Sequence, residues 1–436
     1  MASTYLTRTV SSTGNRRTFT ISTWFKRSGI TGANQKIFEA VVDGSSYSDL
    51  RLKTTEALQF YTEQAGISKI SLVTNRLFRD PNAFYHVVIA VDTTQGTASD
   101  RVKMYINGVQ ETSFSTATYP DQNYDTYVNY SSATNVIGRR NPYSDFYFDG
   151  YLSHLSLVDG QALASTVFGL TDSTSGIWKF KSPSGVTWGT NGFHLKFENS
   201  AALGTDSSGN TNTFTVNGNL KQALDTPSNV HCTMNPLTTT HHTFSNANLS
   251  INGSDSKTSV GSLGVNTGKW YWEAKITGST SLGQYAGATT IENENHWDNA
   301  PTSGAADVRT WAGNGNYHNY TQSGNTADSD IISTTGTVYG YALDLDNGTM
   351  KYFVNGTLTH TDSTIPSDNS KTFFPVSGTT NSGGGGWQGA DYNFGSGNFG
   401  TTAITSAGSN GNGSLFEYDV PSGYYALNTK NINTYG

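Results

Sequence analysis

The densest run of ionisable residues is Glu292-Asn293-Glu294-Asn295-His296-Trp297-Asp298. Two carboxylates at i and i+2 share one face of a strand, and a retaining glycosidic cleavage needs carboxyl groups about 5–5.5 Å apart. Here Asn and His stand between the acids, where a half-buried strand would carry apolar residues, and Asp298-Asn299-Ala300-Pro301 follows as a loop. The run reads as a solvated loop, and no catalytic residue is assigned. Asp206-Ser207-Ser208-Gly209-Asn210 offers Asp206 and Asn210 as oxygen donors for Ca²⁺, a cation that accepts flexible carboxylate and carbonyl cages. Such runs more often close plain turns through Asx hydrogen bonds, so this is a weak calcium candidate and no cofactor is expected. His231-Cys232 and His241-His242 lack the spaced partners of a zinc site. No phosphate-binding loop, nucleophile elbow or dinucleotide fingerprint occurs, and Gly383–Gly386 does not sit between a strand and a helix.

The aromatic residues divide into two groups. Trp270 and Trp272 lie in an alternating strand and belong to a core. Trp297, Trp311, Tyr317, Tyr320 and Trp387 lie instead in Gly/Asn-rich segments, where loops are expected. A flat ring that meets the C–H side of a sugar, with Asn and Asp nearby for its hydroxyls, is the chemistry such residues offer. They are the candidate contacts to a glycan or to a partner subunit, with packing beneath long loops as the bland alternative.

The elements that would position these residues are strands. Aromatics make up 12% of the 436 residues and charged residues only 14%, with 47 Gly against 10 Pro. That composition suits short strands joined by tight turns and starves helices. Lys269–Ile276 puts Trp270, Trp272, Ala274 and Ile276 on one face, and Phe193, Leu195 and Phe197 alternate in the same way. His86–Asp92 is apolar enough for the middle of a sheet. Most informative is a repeated hairpin: Val102–Val109 and Met350–Thr357 each end an alternating strand in Asn-Gly, the favoured type I′ turn. Each follows an apolar strand ending in acid, HVVIAVD in one case and YGYALDLD in the other. Two matched units imply two similarly built domains.

The net charge is −7, without basic blocks, which excludes a nucleic-acid binder that relies on phosphate contacts. No apolar run approaches the roughly 20 residues of a membrane span, and Met1–Arg8 lacks the core of a signal peptide. Cys232 is the only cysteine, so no intramolecular disulfide can form. The expectation is synthesis in a reducing cytoplasm, without membrane insertion.

Phe19–Arg27, the HVVIAVD–MYING pair and Phe148–Leu163 (FDGYLSHLSLVDGQAL) resemble a laminin-G-like, concanavalin-type domain. Gly268–Glu273, Val338–Gly348, Tyr352–Gly356, Phe374-Pro375 and Asn393–Gly395 resemble a SPRY-type domain. Both families are jelly-roll sandwiches. The expected fold is all-β, two consecutive concanavalin A-like jelly-roll sandwiches with very little helix. The expected division is 1–170, a connecting segment 171–229 whose strands pack on either sandwich, and 230–436.

The order of the two domains, with Gly176–Lys179, Thr205–Asn210 and Met234–Leu237 between them, resembles structural proteins of tailed phages of marine bacteria. The resemblance implies a non-enzymatic virion component on the particle exterior, released by lysis. It would adhere to a host surface or glycan and contact other virion proteins and copies of itself, a trimer by the symmetry of phage appendages. The alternative is a free-standing lectin or polysaccharide hydrolase of the concanavalin-like superfamily.

Overall fold

The computed structural model describes residues 4–30, 32–238, 242–253, 258–278, 284–290, 308–312, 317–319, 335–379, 388–405, 408 and 413–436. The chain divides into two compact units, Met1–Gln222 and Ala223–Gly436. Both are sandwiches of antiparallel sheets, as the recurrent period-two alternation requires. The only α-helix among the described residues is Thr429–Tyr435, capped by Asn428, whose side chain accepts from Asn431 N. Among the described residues no helix is long and apolar enough to cross a membrane.

In the first unit an eight-stranded sheet runs in the order Phe114–Thr118, Ile67–Leu77, Ala57–Gln64, Ser46–Leu52, Gln35–Asp43, Thr134–Ile137, Tyr5–Thr9 and Thr215–Asn217. A six-stranded sheet runs Phe193–Leu195, Gly150–Asp159, Thr18–Arg27, Tyr85–Asp92, Val102–Ile106 and Val109–Glu111. Their facing residues, among them Phe19, Ile21, Phe38, Leu50, Phe60, Leu72, Ile89, Met104 and Leu157, form one buried core. The 171–229 segment supplies this unit with Phe193–Leu195 and Thr215–Asn217 as sheet strands and with the hairpin Gly169–Thr171/Trp178–Phe180. Residues beyond Gln222 belong to the second unit.

In the second unit, Lys269–Ile276 lies centrally between Gln388–Asn393 and Val338–Asp344, the latter continuing into Thr349–Val354 and Thr357–Asp362. Trp270, Trp272, Ala274 and Ile276 enter the core with Tyr341, Met350, Tyr392 and Cys232, as the alternation of that strand predicts. A second sheet runs Thr258–Val260, Phe373–Thr379, Gln284–Thr290, Val308–Ala312 and Tyr317–Asn319.

Candidate functional site

The strands Ser46–Leu52 and Ala57–Gln64 alternate strictly. Ser48, Leu50 and Leu52, with Leu58, Phe60 and Thr62, are buried on one side. Tyr47, Asp49 and Arg51, with Gln59, Tyr61 and Glu63, therefore point to the outer face of the eight-stranded sheet. The register lines these residues up with those of other strands. One row crosses the sheet as Thr7, Val136, Glu39, Asp49, Tyr61, Ser71 and Thr118. The next row carries Lys36, Arg51 and Gln59.

At its centre lies a buried ionic group. Lys36 Nζ is 2.7 Å from Asp49 Oδ2 and also pairs with Glu39 Oε1, and none of the three side chains is more than 1% exposed. Asn141 N donates to Glu39 Oε2 at 2.8 Å. Burial pushes the Glu39 carboxyl up to about 7 against the pull of Lys36. Around this centre the face becomes aromatic. The rings of Tyr47 and Tyr61 lie 5.9 Å apart, tilted by 45°, and both phenols donate to Glu63 Oε2, at 3.3 and 2.9 Å. Lys36 sits 4.3 Å from the Tyr47 ring centroid and Arg51 4.6 Å from that of Tyr61. Arg51 Nε donates to Gln59 Oε1 at 2.9 Å, which fixes the guanidinium. Tyr47, Arg51, Tyr61 and Glu63 are half-buried, so the rim reaches solvent while Lys36, Glu39 and Asp49 do not. Held rings beside oriented donors and acceptors can engage a molecule with apolar C–H faces and a hydroxylated edge. The alternation YSDLRL followed by LQFYTEQ was the sequence signal for this face, because its outward set is chemically rich throughout.

The residues singled out in the sequence fall elsewhere. Trp297, Tyr320 and Trp387, together with Glu292 and Glu294, lie outside the described residues. Trp311 and Tyr317 occupy neighbouring strands, Val308–Ala312 and Tyr317–Asn319, and are direct register partners. Asp206 is tied into a turn: Oδ1 accepts from His194 N (2.9 Å) and Ser208 N (2.8 Å), and Oδ2 from Ser208 Oγ (2.9 Å) and Asn212 N (2.8 Å). Asn210 directs its amide donors at the carbonyls of Gly189 (2.6 Å) and Gly192 (3.0 Å). The pair thus closes a knot of Asx hydrogen bonds. Among the described residues no three His, Cys, Asp or Glu converge as a metal cluster.

Residues 2–167 match the family model of the concanavalin A-like lectin/glucanase superfamily, in its laminin-G-like form. No curated protein matches the chain. Among solved structures it is similar to the SPRY domain of human HERC1, with 19% identity and a TM-score of 0.28, covering 36% of this chain and 96% of that one. It is similar to a native heptameric SAP-like pentraxin from Limulus polyphemus, with 16% identity, a TM-score of 0.31, and coverage of 42% and 82%. The PSpry domain of TRIM65 gives 13% identity, a TM-score of 0.29, and coverage of 37% and 91%. Over residues 2–167 the first unit is thus similar to the concanavalin A-like domains of that family model.

Proposed function

We propose that this protein is a non-enzymatic structural component displayed on the outside of a phage particle, where its first unit adheres to carbohydrate. The observation that carries the binding reading is the outer face around Tyr47, Arg51, Tyr61 and Glu63, in a domain of the lectin/glucanase superfamily. The virion placement rests on the domain order, which resembles that of phage structural proteins. Attachment would come from contacts with identical copies or other virion proteins, which must bury roughly 1,200–2,000 Å² to be stable.

The non-enzymatic reading rests on access. Glu39 and Asp49 stand opposite one another across two strands, as an acid pair would. Both are sealed and committed to Lys36. A carboxyl group that protonates a glycosidic oxygen must come within hydrogen-bond reach of it. Purified chain should accordingly bind host-surface polysaccharide without releasing reducing ends. Tyr61→Ala should weaken that binding by about tenfold, the loss of one aromatic contact, with unchanged circular dichroism. Undiminished binding by this variant would remove the face from the argument. Release of reducing ends, abolished by Glu39→Gln, would replace adhesion with hydrolysis. Mass spectrometry of purified particles and light scattering of the purified chain test placement and self-association. A monomer absent from particles would leave a free lectin.

A further inference from the structure

The outer face of the six-stranded sheet in the first unit is roofed by residues 163–188 of the same chain. Phe168, Leu163, Val167, Val186 and Trp188 pack there on Val88, Val158 and Tyr105. Beside this apolar strip the roof meets the sheet through imidazoles. Trp178 Nε1 donates to His86 Nδ1 at 3.0 Å, while His86 Nε2 lies 2.9 Å from Ser22 Oγ, and His86 stacks on Trp24 at 4.6 Å. Phe180 stacks on His154 at 3.6 Å and Trp188 on His194 at 5.7 Å. His154 Nδ1 and His194 Nε2 face each other at 3.4 Å. His154 is aimed there by an irregularity in Gly150–Asp159, where the register shifts between Ser153 and Ser156 and His154 takes φ +51°.

Both contacts require an unprotonated nitrogen. An indole N–H can only donate, so His86 Nδ1 must carry a lone pair, and a proton there would set N–H against N–H. The His154–His194 contact, between two neighbouring strands of the sheet beneath Phe180 and Trp188 of the roof, needs one donor and one acceptor, and two imidazolium ions cannot share it. We propose that residues 163–188 form an acid-released strap, closed while His86, His154 and His194 are neutral and opened when they take up protons.

The charged groups around the rings do not reverse this. Lys196 lies near His154 and His194 and disfavours their protonation, whereas Asp206 and Glu198 near His194 favour it. On the strap, Lys179 is paired with Asp172 and Lys181 donates to Thr166 O. Asp159, beside Trp188, accepts from Asn15 N, Asn191 N and the Asn129 amide. Burial, the largest cause at each ring, lowers His86 to about 3 and His154 and His194 to about 4. In an open strap the same groups titrate near 6.5. Between about pH 6.5 and 4 the open form therefore binds more protons, and closure weakens as pH falls through that window.

Hydrogen exchange on the full chain tests this. Between pH about 7.5 and about 4.5, amides of residues 169–181 should lose at least about tenfold protection after correction for intrinsic rates, the effect of one pKa unit at one group. Strands Thr18–Arg27 and Tyr85–Asp92 should stay protected. His86→Asn combined with His194→Gln, which keeps hydrogen-bonding groups that do not titrate, should shrink the response. Protection that is equal at both pH values, strap and central strands lost together, or an undiminished response in the double variant would each overturn the proposal. If the variant does not fold, the wild-type exchange pattern decides alone.

Discussion

The two Asn-Gly hairpins invite direct comparison. In each, the Asn reaches back to the start of the preceding strand. Asn107 Oδ1 accepts from His86 N at 2.8 Å, and Asn355 Oδ1 from Val338 N at 3.0 Å. In each, the glycine takes positive φ (+86° at Gly108, +79° at Gly356), and its bare Cα leaves room for an aromatic ring from a covering segment. A Cβ at Gly108 would meet Trp178 at 2.5 Å, and one at Gly356 would meet Tyr418 at 2.6 Å. The locks differ. In the first unit the covering segment is held at histidines. In the second, Glu273 accepts from the backbone N–H groups of Glu417 (2.9 Å) and Tyr418 (3.0 Å), and Phe416 packs edge-on against Tyr271. The same hairpin is closed in one case by neutral imidazoles and in the other by a carboxyl that burial pushes up to about 7. In the second unit the outer residues of the central strand, Tyr271 and Glu273, lie beneath residues of 416–426, and the hairpin sheet of the first unit is covered too; Tyr47, Arg51 and Tyr61, which still reach solvent, lie on the eight-stranded sheet that has no such hairpin.

The largest expected effect comes from removing the second cover. Phe416 is 2% exposed and packs on Tyr271. Phe416→Ala should cost about 3 kcal/mol in urea unfolding, with exchange in 414–426 rising first. A cost below about 1 kcal/mol would mean that the cover is held by Glu273 alone.

Next in size is the pH slope of that lock. The folded Glu273 carboxyl lies above its unfolded value, so its contribution is complete below about pH 4.5 and is lost as pH rises through about 7. Between those limits the second unit should lose about 2–3 kcal/mol, opposite in sign to the strap of the first unit. Glu273→Gln should flatten the slope, and an unchanged slope in that variant would assign it to other groups.

The smallest effect tests whether the hairpins are equivalent. Gly108→Ala and Gly356→Ala each force an L-residue into left-handed backbone, at about 1–2 kcal/mol, and displace one ring. The two costs should agree within about 1 kcal/mol by urea titration. A much larger cost at Gly108 would show that the Trp178–His86 contact contributes more than the carboxylate contacts of the other cover.

Local chemistry was legible from the chain. Alternation in Lys269–Ile276 placed Trp270 and Trp272 in a core, and Asn-Gly at 107–108 and 355–356 demanded the positive φ angles found there. A strand's inward face follows from period two alone, and a two-residue turn carries its own steric requirement. Even the outward set of Tyr47, Asp49, Arg51, Gln59, Tyr61 and Glu63 was present as a pattern. Its meaning was not, because alternation does not say which strands are neighbours or in what register. Pairing sets Glu39 opposite Asp49 and Asp49 opposite Tyr61, and turns six polar residues into one face. Trp178 reaches His86 across 92 residues of sequence, and His194 reaches His154 across 40. The first contact forms only because the chain folds back over the six-stranded sheet, and the second because Phe193–Leu195 joins that sheet beside Gly150–Asp159. The residue types and the strands were determined locally; the platform, the buried carboxyls and the imidazole strap were decided by tertiary packing, which alone removes water from these groups and brings distant strands into line.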